Sequence, residues 1–69
     1  MSLYNYGTLF KRLNDPKNAE KYLTKAISIS PNNFPPYNNL MEVYDKSNQN
    51  EKLKKLIDDA KSKFKNNTS

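Results

Sequence analysis

Few residues in this chain could carry out chemistry. The 69 residues include no histidine and no cysteine, so imidazole and thiolate metal ligands, disulfide bonds and the common Ser-His or Cys-His nucleophile pairs are absent. Asp58 and Asp59 are the one adjacent pair of carboxylates, but neighbours in a helix point about 100° apart and do not converge on a proton or metal ion. The sequence therefore predicts no catalytic residue, no metal site and no cofactor, in a chain that is not an enzyme.

Positive charge suggests a second kind of chemistry, the binding of nucleic acid or of other anionic surfaces. Twelve Lys and Arg against seven Asp and Glu give a net charge of +5. Arg12 is the single arginine, and lysine cannot supply the planar, two-pronged contacts of a guanidinium. The basic residues are spread along the chain instead of forming one stripe, which disfavours nucleic acid as a partner. The alternative function left open is a basic helical binder of RNA or anionic surfaces through Lys52, Lys54, Lys55, Lys61, Lys63 and Lys65.

Four stretches with apolar residues three and four positions apart predict the helices that would position these groups. Three breaks separate them, at 14–16, 30–36 and 48–50. In the first break, Asn14 can adopt the left-handed conformation that closes a helix, Asp15 can cap the next helix, and Pro16 suits a first turn. The third break has neither Gly nor Pro and is the weakest. The pattern predicts an all-α fold of four antiparallel helices.

A shift of 34 residues superimposes the apolar positions of the two halves of the chain, which is the period to test for helical-hairpin repeats. The superimposed pairs are Leu3 with Tyr37, Tyr6 with Leu40, Leu9 with Val43, Phe10 with Tyr44, Ala19 with Leu53, Tyr22 with Leu56, Leu23 with Ile57, and Ala26 with Ala60. The aromatic side chains at these positions, Tyr6 among them, are predicted to lie in the core. The repeat predicts two stacked hairpins.

The residues at these positions resemble the tetratricopeptide repeat (TPR) family. The first half carries Leu3-x-x-Tyr6-Gly7-x-x-Phe10, then Ala19-x-x-x-Leu23-x-x-Ala26, then Pro31. The second half departs from this pattern, since Met41 stands at the position of Gly7 and Leu53 at that of Ala19. The resemblance implies two stacked helix-turn-helix hairpins in a short α-solenoid, with repeat one at 2–33, repeat two at 34–65 and a polar tail at 66–69. The small residues Gly7 and Ala19 would let the first two helices approach closely, and the larger ones would widen the second hairpin.

The resemblance also implies a non-enzymatic scaffold that binds a protein partner, as a peptide or helix, in a concave groove lined by the first and third helices. The residues predicted to line the groove are Tyr4, Asn5, Thr8, Lys11, Asn38, Asn39, Glu42 and Asp45. Tyr4 lies off the apolar stripe, and an aromatic residue with no packing role predicts a contact residue. An incidental exposed tyrosine, or one that covers the open N-terminal end, is the alternative.

One specialised group in this family binds the C-terminal carboxylates of chaperones with Lys and Asn side chains on successive inner helices. Asn39 matches one of these residues, but Tyr4 and Thr8 stand where a Lys and an Asn would be. The sequence also has no third repeat to complete the site. Binding of chaperone tails is therefore not expected.

Two repeats are fewer than the three that generally bury a continuous core. Three alternatives stay open: a segment of a longer array, a chain that folds alone, or a homo-oligomer, which includes exchange of helices across the 48–50 turn. The chain has no apolar run of membrane-spanning length and no signal-peptide pattern. These features predict a soluble, cytoplasmic protein with no membrane partner.

Overall fold

The computed structural model describes residues 3–64, which form four α-helices joined by short turns. They are α1 (Leu3–Arg12), α2 (Pro16–Ile29), α3 (Phe34–Lys46) and α4 (Asn50–Lys63). The predicted all-α fold of helical hairpins is confirmed. Residue 2, residue 65 and the predicted polar tail at 66–69 lie outside the described residues. None of the four helices is both long and apolar enough to cross a lipid bilayer.

The turn inside each hairpin has the same geometry. Asn14 and Asn48 both have φ of 59°, a left-handed conformation that asparagine tolerates better than most residues. In the first turn the Asp15 N–H donates to the Phe10 carbonyl at 2.9 Å, and in the second the Gln49 N–H donates to the Tyr44 carbonyl at 2.9 Å. The third break therefore closes like the first, although it contains no Gly or Pro.

Helix α2 begins as the sequence predicts. Asp15 is its N-cap residue and accepts hydrogen bonds from the backbone N–H and the side-chain amide of Asn18, with Pro16 in the first turn. Helix α3 begins within the predicted break, because Pro35 and Pro36 occupy its first turn. A proline costs little there, since an N–H in the first turn has no partner within the helix.

The core lies where α3 packs against the first hairpin. Its buried side chains are Ala19, Leu23, Leu40, Val43 and Tyr44. At the crossing of α1 and α2, a Cβ atom on Gly7 would lie 2.5 Å from Cγ of Leu23, which is fully buried. The close approach predicted for Gly7 is confirmed, and α3 and α4 are in looser contact than α1 and α2, as Met41 and Leu53 predict.

Two side chains of α1, and that of Leu13 directly after it, are more exposed than the apolar spacing of the sequence predicts. Tyr6 is 40% exposed, Leu9 44% and Leu13 62%. The prediction that Tyr6 lies in the core is therefore wrong. The equivalent positions in the second hairpin, Leu40 and Val43, are 1% and 3% exposed because α3 packs on the first hairpin. No described helix covers the corresponding face of α1.

Candidate protein interaction surface

A chain of polar contacts joins α1 to α3 along the predicted groove. The Thr8 hydroxyl donates to the Tyr4 carbonyl at 2.9 Å and accepts a hydrogen bond from Nδ2 of Asn39 at 3.0 Å. Nζ of Lys11 donates to Oδ1 of Asn39 at 3.1 Å and forms an ion pair with Glu42. Thr8 and Lys11 lie three residues apart on α1, as Asn39 and Glu42 do on α3, so each pair shares one helix face. The contacts fix the lateral register of the two helices.

Burial divides this network into an inner and an outer part. Asn39 is only 7% exposed, and both polar atoms of its side chain are used, which is what a buried amide requires. Glu42 has a half-exposed side chain, whereas that of Lys11 is mostly covered. The hydrogen bond and the positive charge of Lys11 lower the pKa of the Glu42 carboxyl below its ordinary value of 4.5. The outer end of the network is thus an ion pair that solvent reaches.

The structure brings together part of the predicted groove set. Thr8, Lys11, Asn39 and Glu42 join side chain to side chain. Asn38 and Asp45 are exposed on α3, and Asn5 is exposed on α1.

The prediction that Tyr4 has no packing role is wrong. This side chain is half-buried and packs against the core cluster. The face of α1 that turns toward the groove also meets α3, so a large ring at that position covers core residues. Asn39 is likewise a buried positioning residue, whereas the sequence pattern marked it as part of a binding surface.

A second concave surface, which the sequence analysis missed, lies on the opposite side of α3, between α2 and α4. We call it the α2/α4 groove. It has a volume of about 670 Å³, and its apolar lining includes Ile27, Tyr37, Leu40 and Leu56. Helix α3 packs on both α2 and α4, but α2 and α4 do not pack on each other within residues 3–64. The bulky residues Met41 and Leu53 predicted a wider second hairpin, but they did not predict this opening between α2 and α4.

Charged side chains line the rim of the α2/α4 groove. Glu20 accepts a hydrogen bond from the Tyr44 hydroxyl at 2.8 Å and lies 3.3 Å from Nζ of Lys52, so this pair bridges the groove. Burial of Tyr44, followed by its contact with the Glu20 carboxylate, raises the pKa of the Tyr44 hydroxyl above its ordinary value of 10.0. Asp58 and Asp59 also line the groove.

Tyr37 is among the residues around the α2/α4 groove but is itself fully buried. The hydroxyl of Tyr37 is buried and unpaired among the described residues. The rest of the ring is well packed, with an edge-to-face contact to Phe64 at 5.3 Å between ring centroids. A buried hydroxyl without a partner is unfavourable, so this atom lowers the stability of the fold.

The described residues offer no group of three or more Asp, Glu, His or Cys that could hold a metal ion. In a comparison with protein families, residues 2–33 match the tetratricopeptide repeat model. Neither the curated proteins nor the solved structures gave a match. Members of this family are typically non-enzymatic protein-interaction modules. Residues 2–33 of this chain are thus similar to a tetratricopeptide repeat, and a second helical hairpin stacks on this first one.

Proposed function

We propose that this chain is a non-enzymatic protein-interaction module that binds a peptide or a helix of a partner protein in the groove between α1 and α3. The observation that carries the proposal is the polar network of Thr8, Lys11, Asn39 and Glu42 across that groove, within a repeat fold typical of interaction modules. The network holds the two helices in register without any ligand, so a partner would meet a preformed surface.

The exposed residues at the edges of the network suit a polar, extended peptide. Asn38 and Asn5 carry amides that can both donate and accept hydrogen bonds, as a peptide backbone does. Glu42 and Asp45 add negative charge on the α3 side, and Asn38, Glu42 and Asp45 are all exposed. We therefore propose that the partner segment is polar and carries a basic residue, which would compete with Lys11 for Glu42.

Selection from a random-peptide library displayed on phage, with the folded chain as the target, tests this proposal. Selected peptides should bind the wild-type chain, and Glu42→Lys should weaken their binding about tenfold or more, because like charges at an interface disfavour association. Glu51→Lys makes the same charge change at an exposed position of α4 and should leave binding unchanged. Equal loss in both variants would mean that net charge alone drives binding, which contradicts the proposal.

A basic surface for RNA is the alternative, and the exposed lysines of α4 favour it. Lys54, Lys55, Lys61 and Lys63 are exposed and make no ion pair within residues 3–64, whereas Lys52 pairs with Glu20. Lys65 lies outside the described residues. If phosphate contacts dominate, affinity for generic RNA falls steeply with salt. Tight binding of a mixed-sequence RNA at physiological salt would favour this alternative over the peptide groove.

Self-association is a second candidate function, favoured by the exposed Tyr6 and Leu9 on α1 and by the exposed Leu13 directly after it. We expect two copies to associate by packing of their folded surfaces and not by exchange of helices. The turn between α3 and α4 is closed within one chain by backbone hydrogen bonds from Asn48 and Gln49, and exchange would have to break them.

A further inference from the structure

The geometry points to a head-to-tail contact in which the exposed face of α1 of one copy seats in the α2/α4 groove of a second copy. This inference rests on the self-association proposed above and assigns its two surfaces. It is independent of the groove between α1 and α3, which stays open in such a contact.

The inserting surface is one narrow stripe of α1 that ends at Leu13, directly after the helix. Tyr6, Leu9 and Leu13 follow each other at intervals of three and four residues, which places them within about 60° of the helix circumference. Arg12 is exposed beside this stripe. Three large apolar side chains in one row, with a cation at its edge, form a patch of the kind that marks an interaction site.

The second hairpin shows what such a stripe packs against. Leu40 and Val43 occupy the same register on α3 as Tyr6 and Leu9 on α1, and they are buried against the first hairpin. A helix that carries apolar residues in this register therefore seats on a neighbouring helical surface within this molecule. The stripe on α1 has no such neighbour among the described residues.

The receiving surface is apolar at its base and acidic at one rim. Ile27 and Leu56 are the partly exposed apolar residues that line the α2/α4 groove, and Asp58 and Asp59 lie on its α4 side. The spacing of three and four residues from lysines of α4 predicts ion pairs for both aspartates, but neither aspartate forms one within residues 3–64. Glu20 and Lys52 pair with each other, so their charges cancel. The other charged residues that line the groove are these two aspartates and Lys55, which leaves one net negative charge.

Charge decides between this contact and a symmetric one. Two α1 faces packed on each other would give Arg12 no acidic partner, because α1 contains no Asp or Glu. Arg12 against Asp58 and Asp59 is an attractive pairing and favours association. Because the two surfaces differ, each copy can place its α1 face on one neighbour and accept the α1 face of another in its α2/α4 groove. Assemblies of more than two copies are therefore expected.

Charge reversal in each surface, followed by mixing, tests the contact. Molar mass is measured by sedimentation velocity and light scattering from low micromolar to millimolar concentration. The wild-type mass should rise above 8.1 kDa with concentration. Arg12→Glu alone, and Asp58→Lys with Asp59→Lys, should each weaken association about tenfold or more. An equimolar mixture of these two variants should recover it, because each reversed surface then meets its complement.

The controls change the same charges outside both surfaces. Lys17→Glu on α2 and Glu51→Lys on α4 are exposed and should associate like the wild type, and circular dichroism checks that every variant keeps its helices. A wild-type chain that stays at 8.1 kDa throughout would overturn the inference and leave the groove to another partner. Association that survives the Asp58 and Asp59 reversal, or a mixture that stays monomeric, would overturn it as well. The groove between α1 and α3 takes no part in this contact, so failure here does not decide whether peptides bind there.

Discussion

Gly7 is the point at which one methyl group should most clearly change the stability of the first hairpin. A Cβ atom at this position would lie 2.5 Å and 2.6 Å from Cγ and Cδ2 of Leu23, and 3.2 Å from its backbone nitrogen. Ordinary carbon contacts lie at about 3.5 to 4.0 Å. Leu23 is fully buried in one core cluster with Leu40 and Val43, so a shift of its side chain would disturb that cluster.

Two effects of opposite sign enter the change Gly7→Ala. Alanine in the interior of a helix is favoured over glycine by about 1 kcal/mol. Added volume in a well-packed core costs about 1 to 3 kcal/mol, and two contacts this short point to the upper part of that range. The steric term should win, and we expect the free energy of unfolding to fall by about 1 to 2 kcal/mol. For a domain of this size, each kcal/mol lowers Tm by about 4 to 8 °C.

Thermal and urea unfolding followed by circular dichroism would measure this change. The matched control is the same Gly7→Ala change in a Leu23→Ala background, with both proteins in one concentration of a stabilising osmolyte. In the Leu23→Ala background the clash is gone, so the Gly7→Ala change should raise Tm through helix propensity alone. An increase in Tm of the Gly7→Ala single variant would refute the reasoning, since it would show that Leu23 yields at little cost.

Three further outcomes are expected. Asn39→Ala removes two hydrogen bonds, one of them from Lys11, and should cost about 1 to 3 kcal/mol in urea unfolding; a change within error would mean that the network adds no stability. Tyr37→Phe removes an unpaired buried hydroxyl and should raise Tm at monomeric concentrations, whereas a lower Tm would reveal a partner for that hydroxyl. Because burial and Glu20 raise the pKa of Tyr44 in the folded chain, the unfolded chain loses this proton first, so stability should fall as pH rises above about 10. Tyr44→Phe should lack that part of the alkaline loss, and an identical pH profile in both proteins would contradict the assignment.

The polar groove was predictable in outline because its residues follow the helical period. Positions three and four apart share a helix face whatever the tertiary structure, so Thr8 with Lys11, and Asn39 with Glu42, could be grouped from spacing alone. Spacing alone could not predict which of these four side chains would be buried. Asn39 is buried because α1 and α3 lie side by side, and the pairing of Lys11 with Glu42 depends on the lateral register of those two helices.

The sequence by itself determined the number of helices and the repeat, and its resemblance to a known repeat family predicted the close approach at Gly7. These depend on local preferences: apolar spacing, asparagine in a left-handed turn at 14 and 48, and a glycine where two helices cross. Only the tertiary structure decided which apolar side chains remain uncovered. Tyr6 and Leu40 occupy equivalent positions, yet one is exposed and the other buried, because burial depends on whether a neighbouring helix is present. For the same reason the α2/α4 groove, which opens where two helices fail to meet, has no signature in the sequence of either helix.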